Sequence, residues 1–474
     1  MNLLFLAIAF RAWRGPALSA FLRLMAAIAT FSLELQLATW LHAGTLGSMR
    51  VINLAAAVAG VLWHANHRAR AHRADADLEK DRKTLPVKSP PPAATPFGVA
   101  VIARFPPSPA IVGIALLIAT LALLRPVIGA DPYHLNRVDR ITSIGTLAYD
   151  PAAADIKINA LAGVYELMLA DLRIPGSSTA LVRFHGLFGL AFYLLAVGSV
   201  MPWLRVRRPW TLLVLLTIPV VFHQLVLVKN DLFGALPAFV ALGWVVIRGR
   251  DMSWSEVVAA AALAGFAVGI KISSAPIALV VGAFLILDHG CRWRIAAGTL
   301  GAGVAGALAG GLGFALVENA VVYGGPMKPY LSLGNRHEHL ADALVGVGRF
   351  AISLVDLGTV TPRIWPGRGG WGSTFGLPLV WGLVTLACHW RDPVVKRAVL
   401  AAGICLTVFG LTYPDADIAH RMVIAPALLL VVVGLGCVER DDRYARPLRA
   451  ALIGVILLSA LQIGRSAVLY LAGA

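Results

Sequence analysis

Val228-Lys229-Asn230-Asp231, then LFGALPAFVALGWVVI from Leu232 to Ile247, then Arg248-Gly-Arg250, is the stretch that decides the fold. An uncharged apolar run, with a polar hairpin before it and arginines after it, has the form of a helix threaded through hydrocarbon. Such a helix needs about 20 residues to cross about 30 Å. Working outward, runs of the same kind recur almost to the C-terminus. The whole 474-residue chain is 58% hydrophobic and only 14% charged, with a mean hydropathy of +0.76. A water-soluble globular protein of this size is excluded by that composition.

Windows of about 19 residues predict an all-α polytopic membrane protein with about 13 transmembrane helices. The expected spans are Leu22 to His42, Val51 to His64, Ala110 to Ile128, Leu187 to Leu204, Thr211 to Val228, Leu232 to Ile247, Val257 to Ile270 and Pro276 to Leu287. They continue with Ala296 to Leu316, Phe375 to His389, Val399 to Leu411, Val423 to Val438 and Leu448 to Leu469. Three regions follow. Residues 1–64 form an N-terminal two-helix membrane extension. Residues 65–109, with RARAHR, DADLEKDRK and SPPPAATP, read as a charged, proline-rich cytoplasmic linker too poor in apolar surface to fold. Residues 110–474 form the main transmembrane module.

The formal charge of +16 lies in short clusters between spans: Arg205 to Arg208, Arg248 with Arg250, Arg292 with Arg294, Arg391 to Arg397 and Arg440 to Arg449. Counted span by span they fall on one side, which the positive-inside rule assigns to the cytoplasm. Topology thus accounts for the charge, and nucleic acid is not an expected partner. The N-terminus is expected inside and the C-terminus outside. Met1 to Phe10 is apolar with its arginines after it, the reverse of a secretory signal, and is read as retained. The four cysteines show no C-x-x-C spacing and suggest neither a disulfide framework nor a zinc site.

Two long outer loops remain, 129–185 and 318–373, and they are the segments large enough to build a site. In the first, Ile158, Leu161, Tyr165, Met168 and Leu172 recur at helical spacing, so an amphipathic helix is expected there, either in the membrane interface or packed on the bundle. Just before it, Asp131-Pro-Tyr-His134-Leu-Asn-Arg137-Val-Asp139-Arg140 gathers a carboxylate, a histidine and two arginines. These are the residue types for a general base and a phosphate clamp. Asp231 and Lys229 occupy a tight hairpin on the same side, where Asn230 and Asp231 also suit a helix N-cap. Lys271 in GIKISSAP closes one helix and either snorkels to the interface or binds a lipid phosphate.

The second loop carries Asn335-Arg336-His337-Glu338-His339, whose i, i+2 histidines make a poor zinc pair. It ends with Pro362-Arg363-Ile-Trp365-Pro-Gly-Arg368-Gly-Gly-Trp371, where arginines suited to phosphate alternate with tryptophans suited to an interfacial belt or a sugar face. Arg421 follows the outer turn Tyr413-Pro-Asp415-Ala-Asp417. In the first span, Glu34 and Gln36 stand as intramembrane polar residues and are expected to pair with another helix.

In their order and common side, a first-loop acid, KNDLFGALPAF, LAGFAVGIKISSAP and AHRMVIAPALLL resemble the C-type (GT-C) glycosyltransferase superfamily. The organisation is most similar to its protein mannosyltransferase and aminoarabinose transferase branch. The resemblance covers about Ile111 to Val438 and leaves Met1 to Pro109 outside. It implies a GT-C-like fold with interfacial helices in the outer loops, in the inner (plasma) membrane of a bacterium. It also implies a transferase active at the periplasmic face that moves a sugar from a polyprenyl phosphate donor to a glycan, lipid or protein acceptor in the cell envelope.

By that resemblance Asp131 is the base or metal contact, Asp231 the second acid, and Arg421 a residue near the lipid phosphate. Asp131 and Asp231 are then the candidate ligands of a divalent cation, Mg or Mn. The family's paired first-loop acids are replaced here by Asp131-Pro132-Tyr133, so His134 or Asp139 has to complete the catalytic set. Arg137, Arg140, Lys229, Lys271, Arg363, Arg368 and Arg421 are the expected donor-phosphate or substrate contacts. The competing readings are a surface-polysaccharide ligase or polymerase, a secondary transporter or lipid flippase, and a structural partner in the membrane.

Overall fold

The computed structural model describes residues 20–42, 44–56, 58–59, 62, 66, 115–116, 132–150, 158–159, 163–172, 178–206, 211–226, 229–290, 292–333, 340–355, 375–412, 420–440 and 445–471. Every regular element among them is a helix. Among the described residues, seven helices are long and apolar enough to cross a membrane, or eight if the bent pair described below is one span. The chain is accordingly an all-α protein compatible with integral membrane placement.

The difference from thirteen expected spans has local causes. Ala110 to Ile128 lies almost wholly, and Val51 to His64 partly, outside the described residues. Thr211 to Val228 is not one rod but two short helices, Thr211–Leu216 and Pro219–Val226. The break falls just before Pro219, where proline disfavours a helical predecessor. Two further expected spans are shorter apolar helices, Trp254–Ile270 and Gly376–Cys388.

We number the helices that matter here in chain order: α1 (Ala20–Trp40), α2 (Pro132–Ile144), α3 (Val164–Leu172), α4 (Ser178–Val200), α5 (Asp231–Arg248), α6 (Trp254–Ile270), α7 (Ala275–His289), α8 (Trp293–Ala309), α9 (Leu312–Tyr323), α10 (Leu340–Val355), α11 (Pro393–Thr412) and α12 (Ile424–Arg440). The centre of the bundle is α5 with α12. Both are apolar around their whole circumference, and their spans are 89% buried inside the protein, as expected of helices with no solvent or lipid stripe.

Local sequence fixes how α5 turns back on itself. After Arg248 the chain makes a short 3-10 turn and restarts at Ser253, whose hydroxyl accepts from Glu256 N while Glu256 Oε2 accepts from Ser253 N at 2.8 Å, a complete capping box. Helix α6 then runs antiparallel to α5. Its glycines admit α8 at backbone distance. A Cβ at Gly265 would fall 1.8 Å from the Gly303 carbonyl oxygen, and one at Gly306 would fall 2.0 Å from the Ala262 oxygen. Small residues at such crossings replace the hydrophobic drive that lipid does not supply. Helix α8 ends at Gly310-Gly311, where Gly311 adopts φ +90°, and α9 leaves at 67° to it.

Helix α1 is not peripheral to this core. Phe21, Met25, Ile28, Phe31 and Leu35 are buried in it, Phe21 stacks on Phe192 at 5.2 Å, and Gln36 Nε2 donates to Ser32 Oγ at 2.8 Å and to the Leu308 carbonyl at 3.3 Å. The N-terminal helix and the main module therefore share one hydrophobic interior.

Helix α3 differs from a helix lying flat on an interface. Every residue of α3 from Val164 to Asp171 is buried, polar Glu166 and Asp171 included. The stripe Tyr165-Met168 is one side of a helix enclosed on all sides. Arg50 holds its C-terminal end, donating to the Ala170 carbonyl at 2.6 Å and to Asp171 Oδ1 at 3.2 Å, a cation where the helix dipole favours one.

Candidate functional site

Helix α5 has chemically distinct ends. Its 18 residues span about 27 Å at 1.5 Å per residue. At one end Arg397 Nη2 and Nε donate to the carbonyls of Val245 and Val246 at 2.8 and 3.2 Å, while Nη1 donates to Asp288 Oδ1 at 2.8 Å. Arg248 pairs with Glu256 at 3.0 Å at this end. The basic turns of the sequence are thus knitted to local acids and carbonyls.

The other end holds the convergence of interest. Asp231 is the first residue of α5 and is 3% exposed. Asn230, at the N-cap position, makes no side-chain capping bond. The Asp231 carboxylate instead pairs through Oδ1 with Lys271 Nζ, and through Oδ2 with Arg421 Nη1 at 3.5 Å. Lys271 arrives from the end of α6, and Gly234, one turn along α5, lets it lie close, since a Cβ there would meet Lys271 Cβ at 3.4 Å. Arg421 arrives from the 3-10 turn that opens α12. Three residues separated by 190 positions of sequence thus meet at one point.

The acid is enclosed, but the cations are not: their side chains remain 19% and 25% exposed. An anion can therefore reach Lys271 and Arg421, while Asp231 stays behind them as their common counter-ion. Lys229, two residues before Asp231, is half-buried beside this end of α5. A divalent cation does not fit Asp231 as arranged, because the ammonium and guanidinium would repel it from the oxygens they occupy. Among the described residues no group of three or more His, Cys, Asp or Glu side chains converges in metal-binding fashion.

Helix α2 sorts the first-loop candidates by face. His134, Arg137, Val138 and Ile141 are buried on one side, and Asp139 is exposed on the other. His134 Nδ1 lies 2.6 Å from Glu166 Oε1 with both side chains 1% exposed, so the ring donates to the carboxylate. Arg137 passes against Gly163, where a Cβ would lie 2.9 Å from its Nε. Burial alone would favour a protonated Glu166, but the hydrogen bond and charge of His134, followed by the charge of Arg137, hold its carboxyl below the ordinary range. Arg140, one turn on, donates to Asn159 Oδ1 at 2.9 Å and faces Asp150 at 3.4 Å. His134, Arg137 and Arg140 are therefore engaged by Glu166, Asp150 and Asn159, whereas Lys271 and Arg421 are engaged by Asp231.

Aromatic packing couples the two groups. Tyr165, beside Glu166, meets His134 edge-on at 5.4 Å and Phe233 at 5.9 Å, and Phe233 is two residues past Asp231. The Tyr165 hydroxyl lies 2.8 Å from His185 Nδ1, and His185 Nε2 lies 3.2 Å from the Gln224 carbonyl. The carbonyl can only accept, so His185 carries its proton on Nε2 and its Nδ1 accepts from the tyrosine. Glu166 and His185 were not singled out in the sequence. The available signal was a carboxylate set among Val164, Tyr165, Leu167, Met168 and Leu169, an environment that a lone acid tolerates only with a partner.

Asp131, Arg363 and Arg368 lie outside the described residues, as do Trp365, Trp371, His337 and His339. No protein-family profile matches the sequence, and no significant match is found among curated proteins or solved structures.

Proposed function

We propose that the chain is an inverting membrane glycosyltransferase that takes a sugar from a polyprenyl phosphate donor and passes it to an acceptor at the periplasmic face of a bacterial inner membrane. The observation that carries this reading is the half-open cation pair Lys271 and Arg421, held by buried Asp231 at one helix end. A lipid anchor keeps the donor phosphate at membrane-surface depth, where helix ends lie, and two preorganised cations there offset the charge that builds on it.

In the proposed reaction the acceptor hydroxyl attacks the anomeric carbon and its proton passes to Asp131. The carbon–oxygen bond to the phosphate breaks, and the electron pair leaves with the phosphate towards Lys271 and Arg421. Direct displacement inverts the anomeric centre. Asp231 is a positioning residue in this scheme, since both its oxygens are engaged and it acts through the cations. No step requires a metal.

The test is transfer of radiolabelled sugar from a polyprenyl phosphate donor by protein in lipid nanodiscs. Lys271→Met and Arg421→Met should each lower turnover by about 100-fold or more, the usual cost of losing one charge-stabilising group. Full turnover in Asp131→Asn would reject the base assignment. Movement of intact labelled lipid between leaflets, without transfer, would point to a flippase instead.

A further inference from the structure

A second polar cluster lies away from the cation pair, where α2, the segment after it and the end of α9 meet. Asn159 is its keystone: Oδ1 accepts from Arg140 Nη1 and from Asp150 N, and Nδ2 donates to the Asp150 carbonyl, all at 2.9 Å. The Tyr149 and Tyr323 rings meet edge to face at 6.2 Å, and Asn159 and Glu318 lie near the Tyr323 hydroxyl. Glu318, one helical turn and a residue before Tyr323, lies within electrostatic reach of Arg140.

This arrangement has capacity left over. The Arg140 side chain is 10% exposed, yet its buried Nη2 has no hydrogen-bond partner among the described residues. The Asp150 side chain is 32% exposed and Tyr149 is 38% exposed. Donors, carboxylate acceptors and an open aromatic face therefore adjoin, with Arg140, Asn159 and Asp150 held in place by their mutual bonds. Two carboxylates against Arg140 disfavour a phosphate. Vicinal hydroxyls, each both donor and acceptor, match alternating guanidinium and carboxylate groups, and the C–H face of a sugar ring matches an exposed tyrosine.

We infer that Tyr149, Tyr323, Arg140, Asp150, Asn159 and Glu318 form a binding site for an uncharged sugar ring. Its role as the acceptor subsite rests on the transferase reading, but the binding itself does not. Arg140 on this view contacts sugar hydroxyls rather than donor phosphate.

The experiment is saturation-transfer NMR on the full chain in phospholipid nanodiscs free of sugar-headed detergent, with mannotetraose, cellotetraose and chitotetraose as probes. At least one probe should receive saturation from wild type, with signal lost in Tyr149→Ala and Arg140→Met and retained in Tyr149→Phe and Lys271→Met. No transfer to any probe from wild type would overturn the inference. So would binding unchanged in both Tyr149→Ala and Arg140→Met. Where the donor assay also works, Tyr149→Ala should raise the acceptor KM at least tenfold with kcat held within about twofold. Sugar binding with no transferase turnover would sink the proposed function and leave this site standing.

Discussion

Asp231 and Lys271 face each other across the two helices that join them: one is the first residue of α5, the other the first past α6. An acid at a helix start and a base at a helix finish each suit the local dipole. Arg421 then shares the same carboxylate from the opening of α12.

The shared counter-ion makes a directional prediction. Asp231→Asn leaves Lys271 and Arg421 adjacent and uncompensated, so donor KM should rise at least tenfold and thermal stability fall by about 3 kcal/mol, the lower end for breaking a buried pair. Lys271→Arg should retain part of the activity because the charge remains. Unchanged donor KM in Asp231→Asn would remove the positioning role.

Glu166 predicts an acid limb. Its folded carboxyl lies below the ordinary 4.5, so the folded state binds this proton less readily than the unfolded one. The contribution of the pair is complete above about pH 4.5 and disappears as pH falls through the lower folded value. Melting temperature measured from pH 3 to 7 should fall in wild type below about 4.5, and that fall should be shallower in Glu166→Gln.

The α6–α8 crossing gives a packing test with an internal control. Gly265→Ala and Gly306→Ala place a methyl inside backbone van der Waals distance and should each cost about 3 kcal/mol or more, at or above the usual cost of overpacking. Gly301 lies in α8 with open space where its Cβ would be, so Gly301→Ala should be neutral or slightly stabilising. Melting curves of the three variants decide it.

At the opposite end, Arg397 joins Asp288 and the last carbonyls of α5, with its guanidinium 4.8 Å from the Phe284 ring centroid. Arg397→Met should cost about 2 kcal/mol, less than a fully enclosed pair because the arginine is 29% exposed. Arg397→Met combined with Asp288→Asn should cost less than the sum of the two singles, which a double-mutant cycle reads directly.

Much of this was legible in the sequence where chemistry is set by helix ends. A charge beside an apolar run has to sit at a span boundary, so Asp231, Lys271 and Arg421 fell at one depth before any contact was known. Contacts made within a compact loop are another matter. Glu166 hid in an apolar stripe, and only the turn of α2 brings His134 onto it. The Tyr149–Tyr323 pair joins positions 174 residues apart with no local sign of their meeting. Pro219 was visible, but whether proline bends or breaks a span depends on neighbours that a hydropathy window does not see.

The Gln36 amide and the Leu308 carbonyl join helices that are made far apart in time. Helix α1 completes its contacts with the core only after at least 272 further residues have been made. Its place in the bundle is therefore settled late: the Gln36–Ser32 bond can form within α1 from the start, but the bond to Leu308 cannot.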